Sequence, residues 1–201
     1  MRPIDLREYK SKLRESTKAR RRNLTPEQKQ LLDSGVLANV KRMREYKRCE
    51  TLYIYVSTPI EVDTRKIIDT AIADGKRVAV PRCIPETRHM TFHYINSIDE
   101  LSPGTFSVLE PDSSLPIATE CKNSLMLVPA MMIDRFGYRL GYGKGYYDRY
   151  IAGYNGVTAG LCYMQDLKYK LMHGRFDRKL DYIITEKYIK RCLSEQRNRR
   201  L

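Results

Sequence analysis

The chain has no tryptophan, only three histidines, and five cysteines that never form a C-x-x-C pair. Cys49, Cys83, Cys121, Cys162 and Cys192 are odd in number and far apart, which argues against a disulfide framework and against a zinc site built on thiolates. Widely spaced thiols of this kind fit a reducing cytoplasm. No run approaches the ~20 apolar residues that a membrane-spanning helix needs, so no membrane association is expected. The opening M-R-P-I-D-L-R-E-Y-K has charges where a secretory signal has its apolar region, and no signal is expected there. What remains is 201 residues, 42% hydrophobic and 30% charged. This is one domain, 1–201, large enough to remove roughly 70% of its unfolded surface from water.

The net charge of +13 is confined to the ends. Residues 1–48 carry a balance of +9 and residues 188–201 one of +4, while 49–187 holds 17 charges of each sign. The middle is a neutral core, and the two basic segments can attract phosphates of any kind, on a nucleotide, a polyanion or RNA.

Residues 4–22 read as a helix with Ile4, Leu6, Tyr9 and Leu13 on one face. Thr25-Pro26-Glu27-Gln28 is a strong start signal for a second: an N-cap, proline in the first turn and glutamine closing a capping box. This helix is expected to run to about Tyr46. Short β-branched runs then alternate with helical ones: strands at Thr51–Ser57, Arg77–Arg82 and Met90–Ile95, and a helix at Asp63–Asp74 stopped by Gly75. Residues 96–123 are rich in loop signals. A central strand, Ser124–Ala130, leads into a glycine segment, a helix near Lys144–Ile151, strands at Val157–Tyr163 and Asp181–Thr185, and a short basic helix. Ser194–Leu201 is expected to fray. Alternating β and α segments imply an α/β fold with a mostly parallel sheet covered on both faces, and ligands beyond the carboxyl ends of its strands. Ser57–Glu61, Arg82 and Pro129–Asp148 all fall on that rim.

The centre of the rim is Arg139–Asp148, R-L-G-Y-G-K-G-Y-Y-D. Gly141, Gly143 and Gly145 free the backbone to take φ > 0 and to approach a ligand closely. Successive N–H groups in such a run form an anion-binding concavity. Arg139 and Lys144 add fixed positive charge, and Asp148 a hard oxygen ligand of the kind a magnesium–polyphosphate site uses. The competing reading is a tight turn with aromatics packed beneath it. Neither the Walker A spacing nor the Rossmann glycine fingerprint is present. Lys10, Arg14 and Lys18 share a helix face at i, i+4, i+8, a pattern that usually marks a solvated stripe.

The stretch Pro129–Asp148, P-A-M-M-I-D-R-F-G-Y-R-L-G-Y-G-K-G-Y-Y-D, resembles the signature of the 5-formyltetrahydrofolate cyclo-ligase family. Lys10-Ser11-Lys12-Leu13-Arg14 is similar to the family's N-terminal element, Ser57–Thr64 to its pterin-side loop, Val80-Pro81-Arg82 to its next strand end and Asp177–Glu186 to its C-terminal acidic strand. The resemblance implies a three-layer α/β/α sandwich of the type shared with sugar-phosphate isomerases and CoA transferases. It implies ATP as co-substrate, Mg²⁺, and conversion of 5-formyltetrahydrofolate to 5,10-methenyltetrahydrofolate by a monomer that needs no nucleic acid. On this basis Lys144 and Arg139 are catalytic. Lys10, Arg14, Arg139, Leu140, Gly141, Tyr142, Gly143, Lys144, Gly145, Tyr146 and Tyr147 hold ATP. Val56, Glu61, Met90 and the run Tyr142–Tyr146 contact the folate, Glu61 meeting the pterin's N–H edge. Asp148 and Asp181 lie near the metal, with Asp134 a weaker candidate that orients the loop. Tyr146 and Tyr147 fit equally as packing residues or as a platform for folate. Lys18 and Arg20–Arg22 keep the reading of a solvated face.

Two departures stand out. Many relatives have His-Asp where this chain has Phe176-Asp177, and any tryptophan contact to the pterin must be replaced by Tyr, Phe or Met. Two other readings remain at this stage: an ATP-dependent ligase acting on another formyl or carboxamide substrate, and an RNA-binding protein using its basic ends.

Overall fold

The computed structural model describes residues 5–105, 108–119 and 122–193. Ile4, Cys121 and the segment 194–201 lie outside them. Helix α1 (Leu6–Arg22) starts at Asp5, whose side chain accepts from the Arg7 amide. Helix α2 (Pro26–Arg42) has the reciprocal capping box of Thr25 and Gln28 that its sequence signals. It does not continue to Tyr46. Met43 adopts extended dihedrals, its side chain is buried, and a separate turn, α3 (Arg44–Arg48), follows. The break lets Met43 and Tyr46 both reach the core instead of following one helical face.

Strand β1 (Thr51–Ile54) is followed by α4 (Arg65–Ala73) and β2 (Arg77–Ile84), and the chain returns as β3 (His89–Ile95). A short hairpin of β4 (Leu101–Pro103) and β5 (Leu109–Pro111) precedes β6 (Ser124–Pro129). Next come β7 (Met132–Asp134), β8 (Arg139–Leu140), α5 (Tyr146–Ile151), β9 (Val157–Leu161), β10 (Leu167–Lys168), β11 (Tyr182–Ile184) and β12 (Ile189–Arg191). The main sheet has seven strands in the order β12-β11-β9-β6-β1-β2-β3. Its five inner strands are parallel, and both edges, β12 and β3, run antiparallel. The expected C-terminal basic helix is instead this edge strand β12. Its exposed Lys190 and Arg191 are the kind of charges that protect a sheet edge from further pairing.

Side chains alternate across the sheet, and the alternation builds two cores. Leu52, Ile54, Leu125 and Leu127 face Val36, Val40, Tyr46, Ile67 and Ile68 of α2, α3 and α4. Tyr53, Met126 and Val128 face Phe92, Tyr146 and Tyr154 around α5. The result is three layers with α5 and the small β10-β7-β8 sheet on the second face.

Helix α1 belongs to neither layer. It lies across the carboxyl ends of the strands over a third, small cluster in which Leu13 and Ile60 pack on Met131, Met132, Leu140 and Leu171. One polar anchor completes this docking. Arg21 is 4% exposed and Asp166 fully buried. The Arg21 Nε donates to Asp166 Oδ2 at 2.8 Å, Nη2 to the Ala130 and Met131 carbonyls at 2.9 and 3.1 Å, and Nη1 to the Ile60 carbonyl at 3.2 Å. Arg20 pairs with the other oxygen of Asp166, so these two arginines do not form a solvated face. Burial lowers the Arg21 pKa, but Asp166 more than restores it and the guanidinium stays charged.

A buried pair stripped of one partner leaves an uncompensated charge, at a cost of about 3–5 kcal/mol. Arg21→Met is expected to lose stability in that range, read from urea denaturation midpoints.

Candidate active site

The glycine segment sits where β8 leaves the second face and α5 begins. Gly143 and Gly145 have φ of 98° and 76° and use the freedom that only glycine offers. Gly141 is not among the positive-φ residues, and a Cβ there would meet no atom within 4 Å. Its open side faces away from protein atoms, which suits a ligand approaching the backbone.

Helix α1 closes over this loop. Arg14 Nε donates to the Gly141 carbonyl at 2.7 Å, and its guanidinium carbon lies 3.2 Å from where a Gly143 Cβ would be. Lys10 pairs with Asp177, which also accepts from the Gly174 amide at 2.8 Å. Lys10, Arg14, Thr17 and Arg21 therefore form one inward-facing stripe, whereas Lys18 pairs with Glu15 along the helix. Burial lowers the Arg14 pKa and nearby Asp177 raises it. Phe176, at the position where histidine was expected, is 68% exposed. Asp177, not its neighbour, makes the contact with α1.

On the other side of the loop, Arg139 is buried and donates Nη1 to Asp148 Oδ1 at 2.9 Å. Its Nε and the Tyr147 hydroxyl are both buried without a hydrogen-bond partner. Tyr147 packs against both main cores, and the Arg139 guanidinium lies 5.9 Å from its ring centroid. Two buried polar atoms without partners, on residues of the segment that holds the glycines, are groups that a polar ligand or a water would satisfy.

Glu61 comes from the loop after β1 and is 6% exposed. One of its oxygens accepts from the Thr58 amide at 2.7 Å and the Thr58 hydroxyl at 2.8 Å. Tyr142 of the glycine segment lies near enough to the same carboxylate for the two groups to interact electrostatically. The two loops thus meet at Tyr142 and Glu61. Burial pushes the Glu61 pKa up, and the donations from Thr58, with nearby Tyr142 and the charge of Arg21, pull part of it back. Val56 and Met90 are both buried but on different sides, Val56 in the helix-facing core and Met90 with Phe92 and Tyr146. Leu140 is buried beneath α1, Tyr146 is buried at the start of α5, and Lys144 is exposed at the rim.

The expected metal pair is not assembled. Asp148 faces Arg139 and also accepts from the Arg178 amide at 3.1 Å. Asp181 accepts instead from the amide and hydroxyl of Thr158, near the amino end of β9, at 2.9 and 2.8 Å. Asp134 is fully buried and accepts from the Phe136, Tyr138 and Leu171 amides, which makes it a brace for the hairpin. Among the described residues no group of three or more His, Cys, Asp or Glu side chains could hold a metal ion. Burial pushes the Cys83 thiol up to about 11 and Cys192 to about 12, which disfavours the nucleophilic thiolate at both.

Sequence reading missed Thr58 and Arg21. Thr58 lies inside the quoted Ser57–Thr64 segment but has no chemistry of its own. Arg21 falls seven residues after Arg14 on the same helix face, and that spacing was its only signal.

Residues 7–186 match the family model described as the 5-formyltetrahydrofolate cyclo-ligase family. The chain is 31% identical over 179 residues to a probable 5-formyltetrahydrofolate cyclo-ligase of Schizosaccharomyces pombe, covering 78% of this chain and 85% of that protein. It is 27% identical over 174 residues to the 5-formyltetrahydrofolate cyclo-ligase of Escherichia coli, covering 83% and 94%. The solution structure of Aquifex aeolicus 5,10-methenyltetrahydrofolate synthetase superposes with a TM-score of 0.79 at 27% identity, covering 96% of this chain and 99% of that one.

A carboxyl whose pKa is raised on folding stabilises the fold while it is protonated, and that contribution is lost as pH rises through the folded pKa. Glu61→Gln is therefore expected to be more stable than the native chain at pH 7, with the difference shrinking as pH falls toward 4.5. Paired denaturation curves at the two pH values measure it.

Proposed function

From the premise that this chain belongs to the 5-formyltetrahydrofolate cyclo-ligase family and is an ATP-dependent enzyme of that kind, we propose that its chemistry takes place between the glycine segment and Glu61. The observation that carries this reading is the nearness of Tyr142 to Glu61, which brings the glycine segment beside the loop that carries Glu61. ATP is the co-substrate, and its phosphates lie along Gly141–Gly145 under Lys10, Arg14 and Arg139. Lys10 and Arg14 come from α1 as a lid, held by Asp177 and the Gly141 carbonyl. The pterin edge of 5-formyltetrahydrofolate presents N–H groups to Glu61. Thr58 occupies one oxygen of that carboxylate and leaves the other to accept them.

The formyl oxygen attacks the γ-phosphorus of ATP, and the bond to ADP breaks. This converts a poor leaving oxygen into a phosphate ester on an N5-iminium carbon. N10 then attacks that carbon, the C–O bond breaks, and phosphate leaves with the N10 proton as the second ring closes. The protein's part is positioning and charge stabilisation. Lys144 and Arg139 meet the charge on the transferring group, and glycine amides take its oxygens. No side-chain nucleophile is needed, in keeping with Cys83 and Cys192 held protonated.

The residues do not make a resident magnesium site. Asp148 is neutralised by Arg139, and Asp181 is engaged by Thr158. Mg²⁺ is instead proposed to enter as part of the Mg–ATP substrate, where phosphate oxygens and water supply most of its ligands. Among the described residues no helix is long and apolar enough to cross a membrane. A cytoplasmic site of action is part of the same proposal, supported by the four free thiols among the described residues.

Lys144→Ala is expected to lower kcat by about two to four orders of magnitude with little effect on folding. The assay follows methenyl product absorbance with 5-formyltetrahydrofolate and Mg–ATP, and near-normal turnover would remove Lys144 from the mechanism.

A further inference from the structure

None of the hydrogen bonds of Arg21 goes to the glycine segment or to Glu61, yet its acceptors belong to the chain segments that carry both. Ile60, whose carbonyl it holds at 3.2 Å, immediately precedes Glu61. Ala130 and Met131, held at 2.9 and 3.1 Å, immediately follow β6 and open the hairpin that ends at Gly141. Met131 is tied onward, since its amide donates to the Leu140 carbonyl at 2.8 Å. A single planar guanidinium thus spans the gap between the two walls of the site. It is itself fixed from a third direction by Asp166, just past β9.

We propose that Arg21 is a positioning residue that sets the spacing between the Glu61 carboxylate and the glycine segment, and so aligns the formyl oxygen with the γ-phosphorus. This rests on the assignment of Glu61 to folate and of the glycine segment to ATP made above. Thr58 fixes the Glu61 carboxylate to its own loop, whereas Arg21 fixes that loop to the neighbouring strand exit. The task needs arginine: lysine keeps the charge but is a point donor without the rigid fork that reaches Ile60, Ala130, Met131 and Asp166 together. Arg20 supplies the control, because it binds the same Asp166 and none of those three carbonyls is among its partners. A misplacement of about 1 Å between reacting groups costs about 100-fold in rate. The positive charge of Arg21 also favours ionised Glu61, which reinforces the geometric role.

The test is steady-state kinetics on Arg21→Lys, Arg20→Gln and Glu61→Gln, each checked for folding by circular dichroism and thermal melting. Arg21→Lys is expected to lower kcat by about 10- to 100-fold and to raise the KM for 5-formyltetrahydrofolate, with the KM for ATP little changed. Arg20→Gln is expected to lose thermal stability with kcat and both KM values preserved. Wild-type kinetics in folded Arg21→Lys overturns the proposal, as does the same kinetic loss in Arg20→Gln, which would make the effect one of stability alone. Should Arg21→Lys not fold, Asp166→Asn is read in its place. It keeps the acceptor shape but loosens the guanidinium, so kcat is expected to fall, and an unchanged kcat overturns the proposal. Glu61→Gln separates the two levels of inference. If it leaves the folate KM unchanged, the folate assignment fails. If it raises that KM while Arg21→Lys is kinetically normal, only the positioning role fails.

Discussion

A charged guanidinium buried at the carboxyl ends of three strands is the constraint on which this structure turns. Arg21 is inaccessible to water, so every hydrogen bond it makes must be supplied by protein, and the acceptors come from the exits of β1, β6 and β9. Bare burial of such a group is prohibitive, and only a compensating carboxylate with satisfied geometry makes it tolerable. Asp166 provides that compensation. Because α1 carries Arg21 at one end and Lys10 and Arg14 nearer the other, anchoring its last turn also determines where Lys10 and Arg14 meet the glycine segment and Asp177.

The site built on this frame is an unsaturated one. Arg139 holds Asp148, yet its Nε has no partner, and neither does the Tyr147 hydroxyl. Glu61 is kept in a buried place where its own charge is disfavoured, supported by the Thr58 amide and hydroxyl. Unsatisfied buried groups of this kind cost stability, a cost that proteins commonly concentrate at active sites. The nearness of Tyr142 to Glu61 brings the glycine segment and the loop after β1 to one place on the rim.

Much of this was legible from residues alone wherever the signal was local. The Thr25–Gln28 capping box, the stop at Gly75, and the parallel inner strands read from alternating β-branched and helical runs follow from short-range stereochemistry. So does the glycine segment, because backbone freedom and interleaved cations are properties of a few consecutive residues. Its end positions Gly143 and Gly145 do take positive φ, although Gly141 does not share that need. The errors fall where a distant partner decided the outcome. Helix α2 stops at Arg42 because Met43 is drawn into the core, and the last basic segment becomes strand β12 because β11 offers an unpaired edge.

Charge shows the same division most clearly. From sequence, Arg20, Arg21 and Arg22 are three equivalent cations in a basic run, and Asp148 and Asp181 are two acids in comparable positions. Composition and periodicity determine that these side chains exist, that the core is α/β, and that a cationic glycine loop follows the central strand. Only the tertiary fold decides that Arg21 is buried on Asp166 while Lys18 stays on the helix surface, and that Asp148 faces Arg139 while Asp181 faces Thr158. The reason is that desolvation and Coulomb energy depend on separations in space between residues remote in the chain, and those separations do not exist until the sheet has closed.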